Sequence, residues 1–150
     1  HRKKAKNRFG IIVDGLDNVD LRIGKCCHPV PGDPIVGYIT KGSGITIHHA
    51  ECHNIKTNGR IVPVEWDDEH SNSFSAKIRI TALDRKNVLG DVIQKLTILN
   101  TNISELNAVS ANDTTIINLS LSVRNVEQLI SIVNTIKRVK DVFSVERIIQ

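Results

Sequence analysis

The side chains best suited to chemistry gather in one stretch, "KCCHPVPGDPIVGYITKGSGITIHHAEC", residues 25–52, which holds every cysteine of the chain. Cys26, Cys27, His48 and Cys52 offer three sulfurs and one imidazole, a donor set that Zn2+ takes in tetrahedral structural sites. The His48-x3-Cys52 spacing can present two of these donors on one turn. Cys26 and Cys27 fit less easily. The cysteines of a usual zinc knuckle stand two or more residues apart, so an adjacent pair reaches one ion with backbone strain or leaves one sulfur unligated. His28, His49 and His53 are further imidazoles close by. Spacing alone leaves open a structural zinc site, a metal-free module with buried cysteines, and a redox role. Against the last, adjacent cysteines bridge each other poorly, because the eight-membered ring strains the intervening peptide. Three cysteines, two of them adjacent, do not make a secreted disulfide framework and point to a reducing, cytoplasmic setting. A Cys–His nucleophile would need an acid or an oxyanion element placed beside it, and the stretch supplies neither.

The rest of the stretch is turn chemistry. "HPVPGD" fixes φ at Pro29 and Pro31 and turns at Gly32–Asp33. "TKGSG" (40–44) is a compact basic loop whose backbone N–H groups are able to accept phosphate, but it lacks the Gly-Lys-Ser/Thr spacing of a nucleotide cradle. It reads as a hairpin loop. With Lys25 and Lys41 flanking the cysteines, the sharper reading is a surface that contacts an RNA backbone.

Short strands must position these residues: "GIIV" (10–13), "PIVGYIT" (34–40), "GITIH" (44–48) and "RIVPVEW" (60–66), with a helical turn near 49–57. So few apolar residues make a thin core, which a metal clip would stabilise. "DDEHSNS" (67–73) has nothing to bury and reads as a linker. Beyond it the periodicity is clearer. "FSAKIRITA" (74–82) alternates as a strand. Residues 87–100 form a helix with Asn87 as N-cap and a stripe of Leu89, Val92, Ile93, Leu96 and Leu99. Residues 102–111 and 115–123 are strands joined by the hairpin chemistry of "ANDT". Residues 125–137 form a helix with an Asn125/Gln128 capping box and a stripe of Leu129, Ile130, Val133 and Ile136. Residues 142–149 close as a strand. The order β-α-β-β-α-β is the ferredoxin-like plan. The fold class is thus α+β, a small β-rich α/β module (9–66) followed by a βαββαβ domain (74–150), with 1–8 as a basic linker.

The formal charge of +4 invites a nucleic-acid reading, but residues 1–8 carry five Lys/Arg and no acid. The remainder holds fifteen bases against sixteen acids. Aromatic residues make up 3% of the chain, too few for a platform that stacks single-stranded bases. No apolar run reaches the roughly 18 to 20 residues of a spanning helix, so no membrane partner is expected. The chain lacks a starting Met and reads as a piece of something longer.

"GIIVDGLDNVDLRIGKCCHPVPGD", the motif that continues to Cys52 with Asn54 two residues on, and "ALDRKNVLGDV" together resemble the regulatory C-terminal region of the long Rel/SpoT stringent-response enzymes. The first module resembles that family's zinc-finger-like, ribosome-intersubunit module, and the second resembles an ACT domain. The resemblance covers about residues 9–150. It implies a chain without the hydrolase and synthetase domains that degrade and make guanosine tetra- and pentaphosphate, and hence no enzyme by itself. It implies docking on ribosomal RNA and uncharged A-site tRNA, and control of the catalytic domains of the same parent chain.

Mapped by motif, Cys26, Cys27, His48 and Cys52 are the positions for zinc, with His48 rather than His49 in H-x-x-x-C. Glu51 stands where Asp is usual. The RNA-contacting set is Arg22, Lys25, Lys41, His48, His49, Glu51 and Lys56, with the imidazoles stacking on or donating to bases. In the second module "DRKN" places Asn87 at a usual glycine. Asp84, Asn87, Val88, Leu89, Asn102 and Ile103 correspond to the positions where many ACT domains bind an amino acid across a subunit interface. A branched-chain amino acid and a second copy of the chain are therefore the other expected partners.

Overall fold

The computed structural model describes residues 9–13, 20–40, 44–55, 60–67 and 72–149. These form two compact units, one made of the described residues through Ser73 with Ile149, the other Phe74–Ile148.

The first unit holds six strands: β1 (Ile11–Val13), β2 (Leu21–Ile23), β3 (Ile35–Thr40), β4 (Gly44–His49), β5 (Arg60–Val62) and β6 (Val64–Trp66). Four make a sheet in the order β2-β4-β3-β5, with β2 parallel to β4 and the other pairs antiparallel. β1 and β6 form a separate antiparallel ribbon. The single strand expected over 60–66 is therefore two. Pro63 has no N–H to donate, so the ladder breaks there. β5 stays on β3, and β6 leaves to pair with β1. β2 is an addition to the strands read from the sequence. The core is Ile11, Val13, Leu21, Ile45 and Ile47, with Phe9, Ile23, Ile35, Ile39, Val62, Val64 and Trp66 packed against it. Gly37 lets these layers close: a Cβ there would lie 2.8 Å from Val62 and 2.9 Å from both Ile45 and Val64.

The second unit has the order β7 (Phe74–Leu83), α1 (Val88–Ile98), β8 (Asn102–Ala111), β9 (Thr114–Val123), α2 (Val126–Lys137) and β10 (Val142–Arg147). Its antiparallel sheet runs β10-β7-β9-β8, the ferredoxin-like arrangement. Phe74, Ala76, Ile78, Ile80 and Ala82 on β7 are buried, as are Ile117, Leu119, Leu121 and Val123 on β9. Val88, Val92 and Leu96 are the buried residues of α1, and Leu129, Ile132 and Ile136 those of α2. The α2 stripe thus differs from expectation: Ile132 is buried, and Ile130 is 53% exposed. In α1 the buried face begins at Val88, and Leu89, Ile93 and Leu99 are half-buried. The β8–β9 hairpin turns on Asn112 (φ 54°) and Asp113 (φ 62°), the paired left-handed conformation of a two-residue turn matched to strand twist.

Asn87 does not cap α1 with its side chain; its φ is 67° and only its backbone oxygen serves, accepting from Asp91 N–H at 2.9 Å. Asn125 does cap α2, its Oδ1 accepting from Gln128 N–H at 2.8 Å. Gln128 Oε1 accepts from Arg124 N–H at 2.7 Å, one residue before the position expected of a capping box. β10 ends at Arg147, two residues short of expectation.

Candidate metal centre

Two turns bring the sulfurs and the imidazole together. After β2 the chain winds through Lys25–Cys27, and His28 N–H closes a turn onto the Gly24 carbonyl at 3.0 Å. This winding places the adjacent Cys26 and Cys27 sulfurs 3.8 Å apart. His28 takes the left-handed φ of 47°, a region where His is enriched among non-glycine residues. At the end of β4, Cys52 N–H bonds to the His49 carbonyl at 3.0 Å and folds Cys52 back toward His48. Turns of this kind, from His49 to Cys52 and from Cys52 to Ile55, stand where a helical turn was expected.

One ligand atom from each of Cys26, Cys27, His48 and Cys52 lies within 4.8 Å of every other. Cys26 Sγ is 3.4 Å from His48 Nδ1 and 3.5 Å from Cys52 Sγ, and Cys27 Sγ is 3.6 Å from His48 Nδ1. Zinc bonds of about 2.3 Å to sulfur and 2.0–2.1 Å to nitrogen give tetrahedron edges of about 3.8 Å and 3.6 Å. The donor set and its spacing therefore fit a tetrahedral zinc ion, with Nδ1 as the imidazole donor. Both adjacent cysteines take part in the cluster.

The electrostatics separate the two. Burial raises the Cys27 thiol to about 12, despite the His49 backbone N–H that donates to its sulfur at 3.3 Å. Without a cation it keeps its proton. Burial also raises Cys26, but hydrogen bonds with Cys52, Asn54 and Cys27 outweigh this and leave it below the usual thiol value. Burial lowers His48, which favours the neutral ring a metal requires. Tyr38 meets the His48 ring edge-on at 6.5 Å.

Of the residues expected to contact RNA, Lys25 and Glu51 are exposed beside the cluster. Arg22 is exposed on β2 and lies 3.8 Å from Asp20. His48 is half-buried with Nδ1 turned to the sulfurs. His49 is a correction. At 3% exposure its ring offers no face to a base. Its Nδ1 accepts from Glu51 N–H at 3.0 Å, and its Nε2 is 3.6 Å from the buried Asp33 carboxylate. The alternation of β4 explains this, since Ile45, Ile47 and His49 share the core side. Asp33 also closes its own loop, Oδ2 accepting from Val30 N–H at 2.7 Å. Lys41, Lys56, the basic segment 1–8 and the middle of the 67–73 linker lie outside the described residues.

The positions expected to bind an amino acid in the second unit do not meet within one chain. Asp84, Asn87, Val88 and Leu89 follow the end of β7, where Leu83 pairs Thr114 and Thr114 pairs Ala111. Asn102 and Ile103 begin β8 at the other end, where Asn102 pairs Ser122 and Ser122 pairs Ser75. The ends lie eight residue steps apart along β9, from Thr114 to Ser122, about 26 Å at 3.3 Å per residue. Asp84 is held by the Thr115 hydroxyl at 3.2 Å, and Val88 is buried.

Family models match in the same two places: the RelA/SpoT RIS domain over residues 11–67 and an ACT domain over residues 70–147. The chain belongs to the RelA/SpoT family. Among similar proteins are a GTP pyrophosphokinase of Myxococcus xanthus, 36% identical over 95% of this chain and 19% of the relative, and one of Haemophilus influenzae, 36% identical over 98% and 21%. The chain spans about a fifth of the length of these relatives. The ACT unit is similar to the ACT domain from the GTP pyrophosphokinase of Chlorobium tepidum, at 26% identity and a TM-score of 0.48, over 51% of this chain and 100% of that one. Among the described residues no helix is long and apolar enough to cross a membrane.

Proposed function

We propose that this chain is the non-catalytic regulatory part of a cytoplasmic (p)ppGpp synthetase/hydrolase, docking on stalled ribosomes and controlling catalytic domains elsewhere in the parent chain. The observation that carries the reading is the four-donor cluster of Cys26, Cys27, His48 and Cys52, set within the stretch that matches the RIS, or ribosome-intersubunit, domain. Cys26, Cys27 and Cys52 would hold a structural zinc ion with His48 Nδ1. When bound, zinc supplies a crosslink between the turn after β2 and the turn after β4. Those turns carry Lys25 and Glu51, so the crosslink fixes the surface offered to ribosomal RNA and uncharged tRNA. Lys25, Lys41, Lys56 and Arg22 position phosphates, and Glu51 accepts from base amino groups.

The test is co-sedimentation with ribosomes stalled by uncharged tRNA. Lys25→Glu combined with Lys41→Glu should weaken pelleting at least tenfold at physiological salt without lowering the melting temperature. A double variant that pellets like wild type would remove this surface from the reading.

A second reading concerns the ACT unit. Antiparallel pairing of β8 with β8 of another copy would bring Asn102 and Ile103 of one chain to the Asp84–Leu89 end of the other. The long separation within one chain favours a branched-chain amino acid site that exists only in a dimer. Leucine, isoleucine or valine should then give binding heat in calorimetry and raise the mass seen by light scattering. Millimolar ligand with neither effect refutes this reading.

A further inference from the structure

Access to the three sulfurs is unequal. Cys26 is half-buried, whereas Cys27 is 0% and Cys52 5% exposed. The Cys26 sulfur lies 3.5 Å from Cys52 and 3.8 Å from Cys27. A reachable sulfur in contact with a shielded one is the arrangement of an attacking and a resolving thiol. Closure onto Cys27 would strain an eight-membered ring. Closure onto Cys52 joins two separate turns and carries no such ring.

We propose that Cys26 and Cys52 are a hydroperoxide-sensitive pair whose closure to a disulfide dismantles the four-donor site. In the first step the Cys26 sulfur attacks one oxygen of hydrogen peroxide. An S–O bond forms, the O–O bond breaks, and the leaving hydroxide takes a proton to become water. In the second step the Cys52 sulfur attacks the sulfur of the Cys26 sulfenic acid. An S–S bond forms, the S–O bond breaks, and a second water leaves. The two thiols give up two electrons, and the peroxide is reduced to two waters.

The geometry sets the consequence. The two sulfurs must close from 3.5 Å to about 2.05 Å, which draws both from their places on the tetrahedron. Cys27 and His48 alone are too few donors for a tetrahedral ion. The zinc crosslink between the two turns then gives way to a shorter covalent one, which pulls the turn bearing Glu51 toward Cys26, and ribosome docking becomes subject to the redox state of the cell. A dithiol reductant restores both sulfurs. This rests on the metal-centre reading above, and the test separates the two.

The reduced, zinc-loaded chain is titrated with hydrogen peroxide. Released zinc is followed with a chromogenic chelator, and unreduced peptides are mapped by mass spectrometry. Zinc release and a Cys26–Cys52 crosslink should rise together one for one, with Cys27 left as a free thiol, and dithiothreitol should reverse both. A Cys26–Cys27 bridge, a bridge between chains, a sulfinic Cys26 without a bridge, or a bridge formed with zinc retained overturns the proposal. Cys52→Ser removes a donor and risks unfolding the unit, so the control is the metal-free wild-type chain. If the reduced chain takes up no zinc, the metal reading fails by itself. The thiol pair is then decided on that metal-free chain, upheld by a Cys26–Cys52 crosslink and overturned by its absence.

Discussion

Gly24 has no side chain at a point where one would strike the imidazole of the cluster. A Cβ there would lie 3.0 Å from His48 Nδ1, 3.2 Å from Cε1 and 3.0 Å from the Ile47 carbonyl oxygen. The backbone has little room to retreat, because Gly24 N–H is already bonded to that oxygen at 2.8 Å. Gly24→Val should therefore turn His48 off its position and weaken zinc binding by about 10- to 100-fold, the usual cost of losing ligand orientation. Competition against a chromogenic chelator measures it, and an unchanged affinity would argue that His48 is not a ligand. The grouping of Cys26, Cys27, His48 and Cys52 was legible from residue type and spacing, since few other side chains offer sulfur or imidazole. Gly24 and Asn54 were not, because their roles depend on which neighbour the fold delivers. His49 shares the buried side of β4 with Ile45 and Ile47, so strand phase and not imidazole chemistry sets its place.

At the level of elements, local chemistry was legible wherever the backbone itself demanded it. The two positive φ angles of the hairpin fall on Asn112 and Asp113, the residue types that tolerate them best. Pro63 marks the break between β5 and β6 just as plainly, since it has no N–H to give to the ladder. The phase of α2 was harder. Leu129, Ile130, Ile132, Val133 and Ile136 are all apolar, so several stripes fit the sequence and only packing chooses among them. The observed phase has a direct consequence. Ile132→Ala should destabilise the ACT unit by about 2–5 kcal/mol, the cost of a large-to-small change in a closed core. Ile130→Ala should stay within about 0.5 kcal/mol, as for an exposed site. Urea melts of the two variants give both values, and equal losses would contradict the placement of this helix.

At the scale of the whole chain, the two units differ in what holds them. The ACT unit has long strands and two helices that close over Ile78, Ile80, Leu96, Leu121, Leu129 and Ile136. Among the described residues the RIS unit rests on strands of three to six residues and a core cluster of five buried aliphatic side chains. With so little apolar area to bury, any free energy of metal binding at the four side chains would become folding free energy for that unit. Free zinc at a thousand times its Kd would add about 4 kcal/mol. In a domain of this size that corresponds to a Tm shift on the order of 15–30 °C. A strong chelator should therefore open the RIS unit and leave the ACT unit as it was. Hydrogen exchange read peptide by peptide distinguishes them. Protection over 21–23 and 44–49 should collapse on chelation and return with zinc, while protection over 74–83 and 114–123 holds. Full protection of β2 and β4 in the chelated chain would mean that the hydrophobic core alone carries the fold, and that the four donors are not its clasp.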